Sequence, residues 1–295
     1  MNKIEKILIL ASFGGLFVRS YGSATVELIA GLTLILSFGV LHGANDLLLL
    51  QQFKSPHTLG LDRHLLMRYI AVVVLAALLF FWLPVLAIIS FVLTSSYHFG
   101  EQHSERYDSS WKALDRYVFR FLYGWLLFAL LFAAHQAEVN GVLATLTHSN
   151  LLDFPWRRIL VGTVIFFALF VLWRIVSIPG RLQSVARDLL LLPFFALIFF
   201  SGSLIWGFAV YFILWHSIPS LLAQVQFLYG NSEWRSFRMY FKSAFWYWLA
   251  AAIGITATFF FSSSVQELTS FLFAALAAIT FPHAFVMLRL FKKSA

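Results

Sequence analysis

The chain has no cysteine, which excludes a disulfide framework, a thiolate metal site and a catalytic thiol. Charge is almost as scarce. Only 12% of its 295 residues are Asp, Glu, Lys or Arg, against about 25% in a soluble globular domain. Internal repeats, low-complexity tracts and linkers are missing too, so residues 1–295 read as a single integral-membrane helical domain. What is abundant is apolar: 61% of the residues are hydrophobic, in long runs from end to end. That pattern predicts an all-α, polytopic transmembrane helical bundle, multi-pass in the cell membrane. The net charge of +8 does not point to nucleic acid. The basic residues fall between the apolar runs, where they set topology and meet anionic headgroups of the lipid bilayer.

Ten spans are read, at about 5–20, 28–50, 66–82, 84–100, 118–135, 158–174, 188–202, 204–228, 243–261 and 268–289. Some are short for a hydrocarbon core of about 30 Å. Tight turns at Trp82-Leu83-Pro84 and Ser201-Gly202-Ser203 leave room for re-entrant hairpins, so the count runs from eight to ten. With the N-terminus inside, every Lys and Arg except Arg19, Arg157 and Arg158 falls on the inner side, which predicts that both termini are cytoplasmic. The apolar N-terminal stretch reads as a first anchor because no small-residue cleavage site precedes a soluble body. The outer loop over about 136–157 has room for a short interfacial helix.

Four histidines sit inside apolar spans, each in a polar knot: His42 in His-Gly-Ala-Asn-Asp, His98 in Tyr-His-Phe-Gly-Glu, His216 in Trp-His-Ser-Ile-Pro-Ser, and His283 after Pro282. A bilayer makes such groups costly, and neutral imidazole is the commonest metal ligand, so a shared metal is the economical reading. The topology puts His42, His98 and His283 in the inner half, with His216 slightly deeper. His42 and Asp46 are four apart and share a helical face with Asn45. Asp46 is then free to orient a histidine of another helix through its second ring nitrogen. His98 and Glu101 are three apart, and Gly100 lets a neighbouring helix or a ligand come close. Pro219 frees a carbonyl near Trp215 that Ser217 or Ser220 can satisfy, with Gln224 extending the polar stripe. Pro282 can kink its span and turn His283 inward. The alternative at each knot is a hydrogen-bonded pair or kink with no metal. His57, His64, His103, His135 and His148 fall in loops or at span ends and read as solvated or interfacial. Imidazole donors suit Fe, Zn, Cu or Ni rather than Mg or Ca, and spacing does not choose among them.

The knots resemble the motifs of the Brp/Blh family of membrane β-carotene 15,15′-dioxygenases. His42-Gly43-Ala44-Asn45-Asp46 is similar to its His-Gly-Ala-x-Asp, Tyr97-His98-Phe99-Gly100 to its aromatic-His-Phe-Gly, Trp215-His216-Ser217-Ile218-Pro219 to its Trp-His-x-x-Pro, and Pro282-His283 to its Pro-His. The resemblance covers nearly the whole chain. It implies cleavage of β-carotene by O2 at the central double bond into two retinal molecules, with Fe(2+) as cofactor. It also implies metal ligands at His42, His98 and His216. The family's further ligand follows the proline of the third motif, where this chain has Ser220. His283 is the candidate to complete the set, with Asp46, Glu101 and Ser220 around it. Leu47 also departs, since relatives often have histidine there. Two other classes fit part of the pattern: a transporter using the histidines for metal or protons, and a carotenoid- or retinal-binding membrane protein without chemistry. The dense histidine clusters of a membrane di-iron desaturase are absent.

Overall fold

The computed structural model describes residues 3–54, 62–103, 111–149, 153–177 and 181–294. His57, assigned above to a loop or span end, lies outside those residues, as does Arg106 of the inner basic set. All regular structure among the described residues is helical. The elements are α1 (Lys3–Tyr21), α2 (Ala24–Leu34), a π-helical segment Ile35–Gly39, α3 (Asp46–Lys54), α4 (Arg63–Trp82), α5 (Pro84–His103), α6 (Ala113–Ala134) and α7 (Gln136–Thr147). There follow α8 (Trp156–Ser177), α9 (Arg181–Ser201), α10 (Leu204–Tyr211), a second π-helical segment Phe212–Ser217, α11 (Ile218–Tyr229), α12 (Trp234–Phe259) and α13 (Val265–Ser294).

Local chemistry sets the boundaries. Asp62 caps α4, its carboxylate accepting from the His64 and Leu65 amides at 3.0 and 3.2 Å. Pro84 opens α5, where its missing N–H is no loss, so α4 and α5 meet at Leu83. Gly230, at φ 76°, closes α11 in the left-handed conformation. By length and hydropathy, five helices among the described residues can cross a membrane: Arg63–Trp82, Ala113–Ala134, Trp156–Ser177, Leu204–Tyr229 and Val265–Lys292. The exposed faces of α4 and α8 carry large apolar side chains, among them Leu75, Phe81, Phe166 and Leu169, as a lipid-facing surface requires. The region read as one span over 28–50 is not one helix. It passes through the π-helical segment and breaks in a tight turn at His42–Asn45 before α3 begins at Asp46.

The chain forms two compact units, Met1–Gly31 with Val92–Ala144 and Ser149–Tyr211, and Leu32–Phe91 with Thr145–His148 and Phe212–Ala295. In the first unit α6 is the buried centre, packed by α8, α9 and α10. A Cβ on Gly100 would overlap the Arg120 carbonyl, and one on Gly124 would overlap the Ser96 carbonyl. The backbones of α5 and α6 therefore touch, and only glycine fits at either point. Buried acids here pair with arginines: Glu101 with Arg120 at 2.9 Å, Asp115 with Arg174, and Glu5 and Asp188 with Arg187 at 3.3 and 3.0 Å. In the second unit α13 packs on α3, α4 and α12. Leu49, Val286, Met287, Leu290 and Phe291 form one apolar cluster.

Candidate metal centre

The second unit gathers three buried imidazoles. His42, His216 and His283 are 5%, 1% and 4% exposed, and each offers a ring nitrogen within 4.8 Å of the others. The His42 ring stands edge-on to both partners, with centroids 5.3 Å from His216 and 4.6 Å from His283. Phe212 stacks on His216 at 5.4 Å and meets His42 edge-on at 5.5 Å, walling the cluster with hydrocarbon.

Two of the three histidines, His42 and His216, owe their place to an irregular stretch of helix. His42 follows the first π-helical segment, and its Nδ1–H donates to the Gly39 carbonyl at the end of that segment. This fixes the tautomer and leaves Nε2 as the lone-pair nitrogen. That Nε2 is buried and has no hydrogen-bond partner among the described residues, a costly condition for a polar atom unless a ligand meets it. His216 lies inside the second π-helical segment, and such segments recur at functional sites. His283 lies in α13, which runs on through Pro282. Gly43 lies beneath the His283 ring, where an added Cβ would stand 3.4 Å from Nδ1.

The tight turn after His42 opens backbone carbonyls that side chains from other helices then satisfy. Gln224 Nε2 donates to the His42 carbonyl at 2.7 Å and to Ser220 Oγ at 3.1 Å. The Tyr240 hydroxyl donates to Gln224 Oε1 at 2.8 Å and lies 3.3 Å from the His42 carbonyl. Asn45 Nδ2 donates to the Tyr240 carbonyl at 2.9 Å, while Ser243 donates to Asn45 Oδ1 at 3.0 Å. Trp248 donates to the Leu36 carbonyl within the first π-helical segment at 2.9 Å. Buried Asp46 accepts from His283 Nδ1 at 2.9 and 3.1 Å and from the Tyr69 hydroxyl at 2.7 Å. The carboxylate thereby holds one tautomer of His283, with Nε2 as its ligand-capable nitrogen.

Nitrogens bound at about 2.0–2.1 Å to one ion stand up to about 4.2 Å apart, so a sub-ångström inward adjustment brings this triad onto a single cation. The donor set is neutral nitrogen, with two tautomers fixed by Gly39 and Asp46, and it fits a divalent transition metal rather than Mg or Ca. The Ser220 hydroxyl donates to Met287 Sδ at 3.8 Å, and the Ser217 hydroxyl is buried without a hydrogen-bond partner among the described residues. Neither hydroxyl takes up a carbonyl released by Pro219, as the spacing had suggested.

His98 and Glu101 belong to the first unit. His98 is buried on α5 with its ring 6.1 Å from that of Phe99, and Glu101 is held by Arg120, which also donates to the Tyr97 hydroxyl at 3.2 Å. Two other histidines correct the expectation of solvent contact. His103 is buried, with Nε2 3.1 Å from the Tyr211 hydroxyl. His135 is also buried, its Nε2 donating to the Phe199 carbonyl at 2.9 Å and its Nδ1 lying 3.3 Å from Glu138. That contact lowers the Glu138 carboxyl below the usual glutamate range. His64 and His148 are exposed, as expected. Sequence reasoning passed over Tyr69 and Tyr240, which lie in ordinary apolar or basic stretches, and both π-helical segments.

No curated protein and no solved structure matched the chain. The family described as beta-carotene 15,15′-dioxygenase matches it over residues 33–291, a stretch that contains all three clustered histidines together with Asp46 and His98. The chain therefore belongs to the β-carotene 15,15′-dioxygenase family.

Proposed function

We propose that this protein is an iron-dependent membrane oxygenase that uses O2 to cleave β-carotene at its central double bond, giving two molecules of retinal. The observation that carries this reading is the buried cluster of His42, His216 and His283 in a chain of this family. These three imidazoles would hold Fe(2+), which when bound supplies the activation of O2. His98 is the fourth candidate from the sequence, and the metal content of His98→Ala tests it. The remaining work falls to the chain's own groups. Gly39 and Asp46 keep His42 and His283 in the tautomers that present Nε2. Tyr69, Gln224 and Tyr240 hold Asp46 and the opened His42 turn in place. Phe212 and the apolar helices exclude water from the rings. A hydrocarbon substrate dissolves in the bilayer, so helices long and apolar enough to span it suit lateral access from lipid. The basic residues favour both termini in the cytoplasm, and a periplasm-specific reporter fused at Ala295 should stay silent.

Expression in a β-carotene-producing bacterium tests the activity. The expected result is loss of orange colour with retinal formed and iron bound to the purified chain. Retained carotene beside folded, iron-loaded protein would overturn the cleavage reading in favour of a carotenoid-binding role.

A further inference from the structure

A cavity of about 1210 Å³ lies along α12 in the second unit, larger than the roughly 300–1,000 Å³ usual for a small-molecule pocket. Phe38, Leu221, Phe245 and Trp246 give it a long apolar and aromatic wall. Arg235, Arg238 and Lys242 also line it. Their spacing of three and four residues puts the cations on one face of α12, within its first turns. Arg235, in the first turn, also stands at the positive end of the helix dipole. No Asp or Glu lines the cavity, and none of the three cations forms an ion pair among the described residues.

This combination does not match a hydrocarbon alone. A polyene is satisfied by the aromatic wall and gains nothing from three unpaired cations beside it. The complement is an amphiphile with a long apolar chain and an anionic headgroup. We propose that the groove seats an anionic phospholipid of the surrounding bilayer, its phosphate against Arg235, Arg238 and Lys242 and an acyl chain along Phe38, Leu221, Phe245 and Trp246. Tyr240 shares the wall and reaches the His42 carbonyl through its hydroxyl, so the seated lipid backs onto the histidine turn. The proposal stands on charge and shape and is independent of the cleavage activity.

The test uses the full chain reconstituted in phosphatidylcholine vesicles, with tryptophan fluorescence read as lipids with brominated acyl chains are added. Brominated phosphatidylglycerol should quench with an apparent affinity on the order of a hundredfold above brominated phosphatidylcholine, since each of the three cations near a membrane surface contributes about fivefold. The variant R235Q/R238Q/K242Q should make the two curves coincide, with helical content and bound iron unchanged as the folding control. Trp246→Phe, at an exposed side chain, should remove part of the phosphatidylglycerol-specific quenching while keeping the charge. Coincident curves in the unsubstituted protein would overturn the proposal, as would a preference that survives the triple substitution. Displacement of the brominated phosphatidylglycerol by β-carotene would also overturn it, giving the groove to the polyene. Retinal formation is measured separately, so loss of one reading leaves the other standing.

Discussion

The two units bury similar polar groups and satisfy them differently. In the first, carboxylates meet arginines, and His103 and His135 have ordinary partners in a tyrosine hydroxyl and a backbone carbonyl. In the second, the buried carboxylate near the histidines meets no arginine among the described residues. Asp46 is held by Tyr69 and His283, and His42 keeps a buried Nε2 that no group among the described residues meets. A buried acid neutralised by arginine is a closed account that stabilises or orients the fold. A carboxylate spent on orienting an imidazole, beside a ring nitrogen left open, is an arrangement that anticipates a cation. Residue type alone does not separate the two cases, because both units contain buried histidine, tyrosine and acid.

The sharpest way to break that contrast starts in the first unit. Gly100→Leu should abolish folding, since even a Cβ overlaps the Arg120 carbonyl. Size-exclusion chromatography in detergent should show no monodisperse protein, and a well-folded variant would mean that α5 and α6 do not touch there. In the second unit, His42→Ala, His216→Ala or His283→Ala should each lower retinal formation by more than about 100-fold, above the usual cost of losing a group outside the coordination sphere. Each should also strip most of the iron seen by elemental analysis. His103→Ala, in the first unit, should keep its iron, and equal losses from both sets would erase the distinction. Asp46→Asn should weaken iron binding about 10–100-fold, with Tyr69→Phe milder, as read by competition with a chelator. Smallest is Ser220→Ala. Its hydroxyl bonds Met287 and Gln224, so it should cost about 1 kcal/mol of stability by thermal unfolding while iron stays bound.

Much of the helical layout was legible because long apolar runs and the Leu83-Pro84 break are local signals. The polar knots around His42 and His216 were legible for the same reason, since polar residues inside an apolar run need an explanation. Which partners would meet there was not. Asp46 and His283 are 237 residues apart, and Asn45 and Tyr240 are 195 apart, separations that no spacing rule reaches. Tyr69 and Tyr240 look like any interfacial tyrosine until the fold sets them against Asp46 and His42. His103 and His135 were misjudged because nearness to a span end suggests water, whereas their partners are supplied 108 and 64 residues further on. The π winding itself leaves no compositional trace, since nothing in Ile-Leu-Ser-Phe-Gly or in Phe-Ile-Leu-Trp-His-Ser, polar as the end of the latter is, separates it from an α turn.

Those two segments also bear on how such a centre can arise or be lost. A π turn is an α-helix that has gained a residue without breaking. One residue deleted between Phe212 and His216 would let the helix close back to regular winding, keeping the residues beyond it in register but shifting His216, which lies within the widened turn, relative to His42 and His283 while leaving every histidine in the sequence. The centre is thus as sensitive to insertions and deletions as to substitution, and a homologue that keeps all the motif letters but shortens that stretch by one residue should be inert.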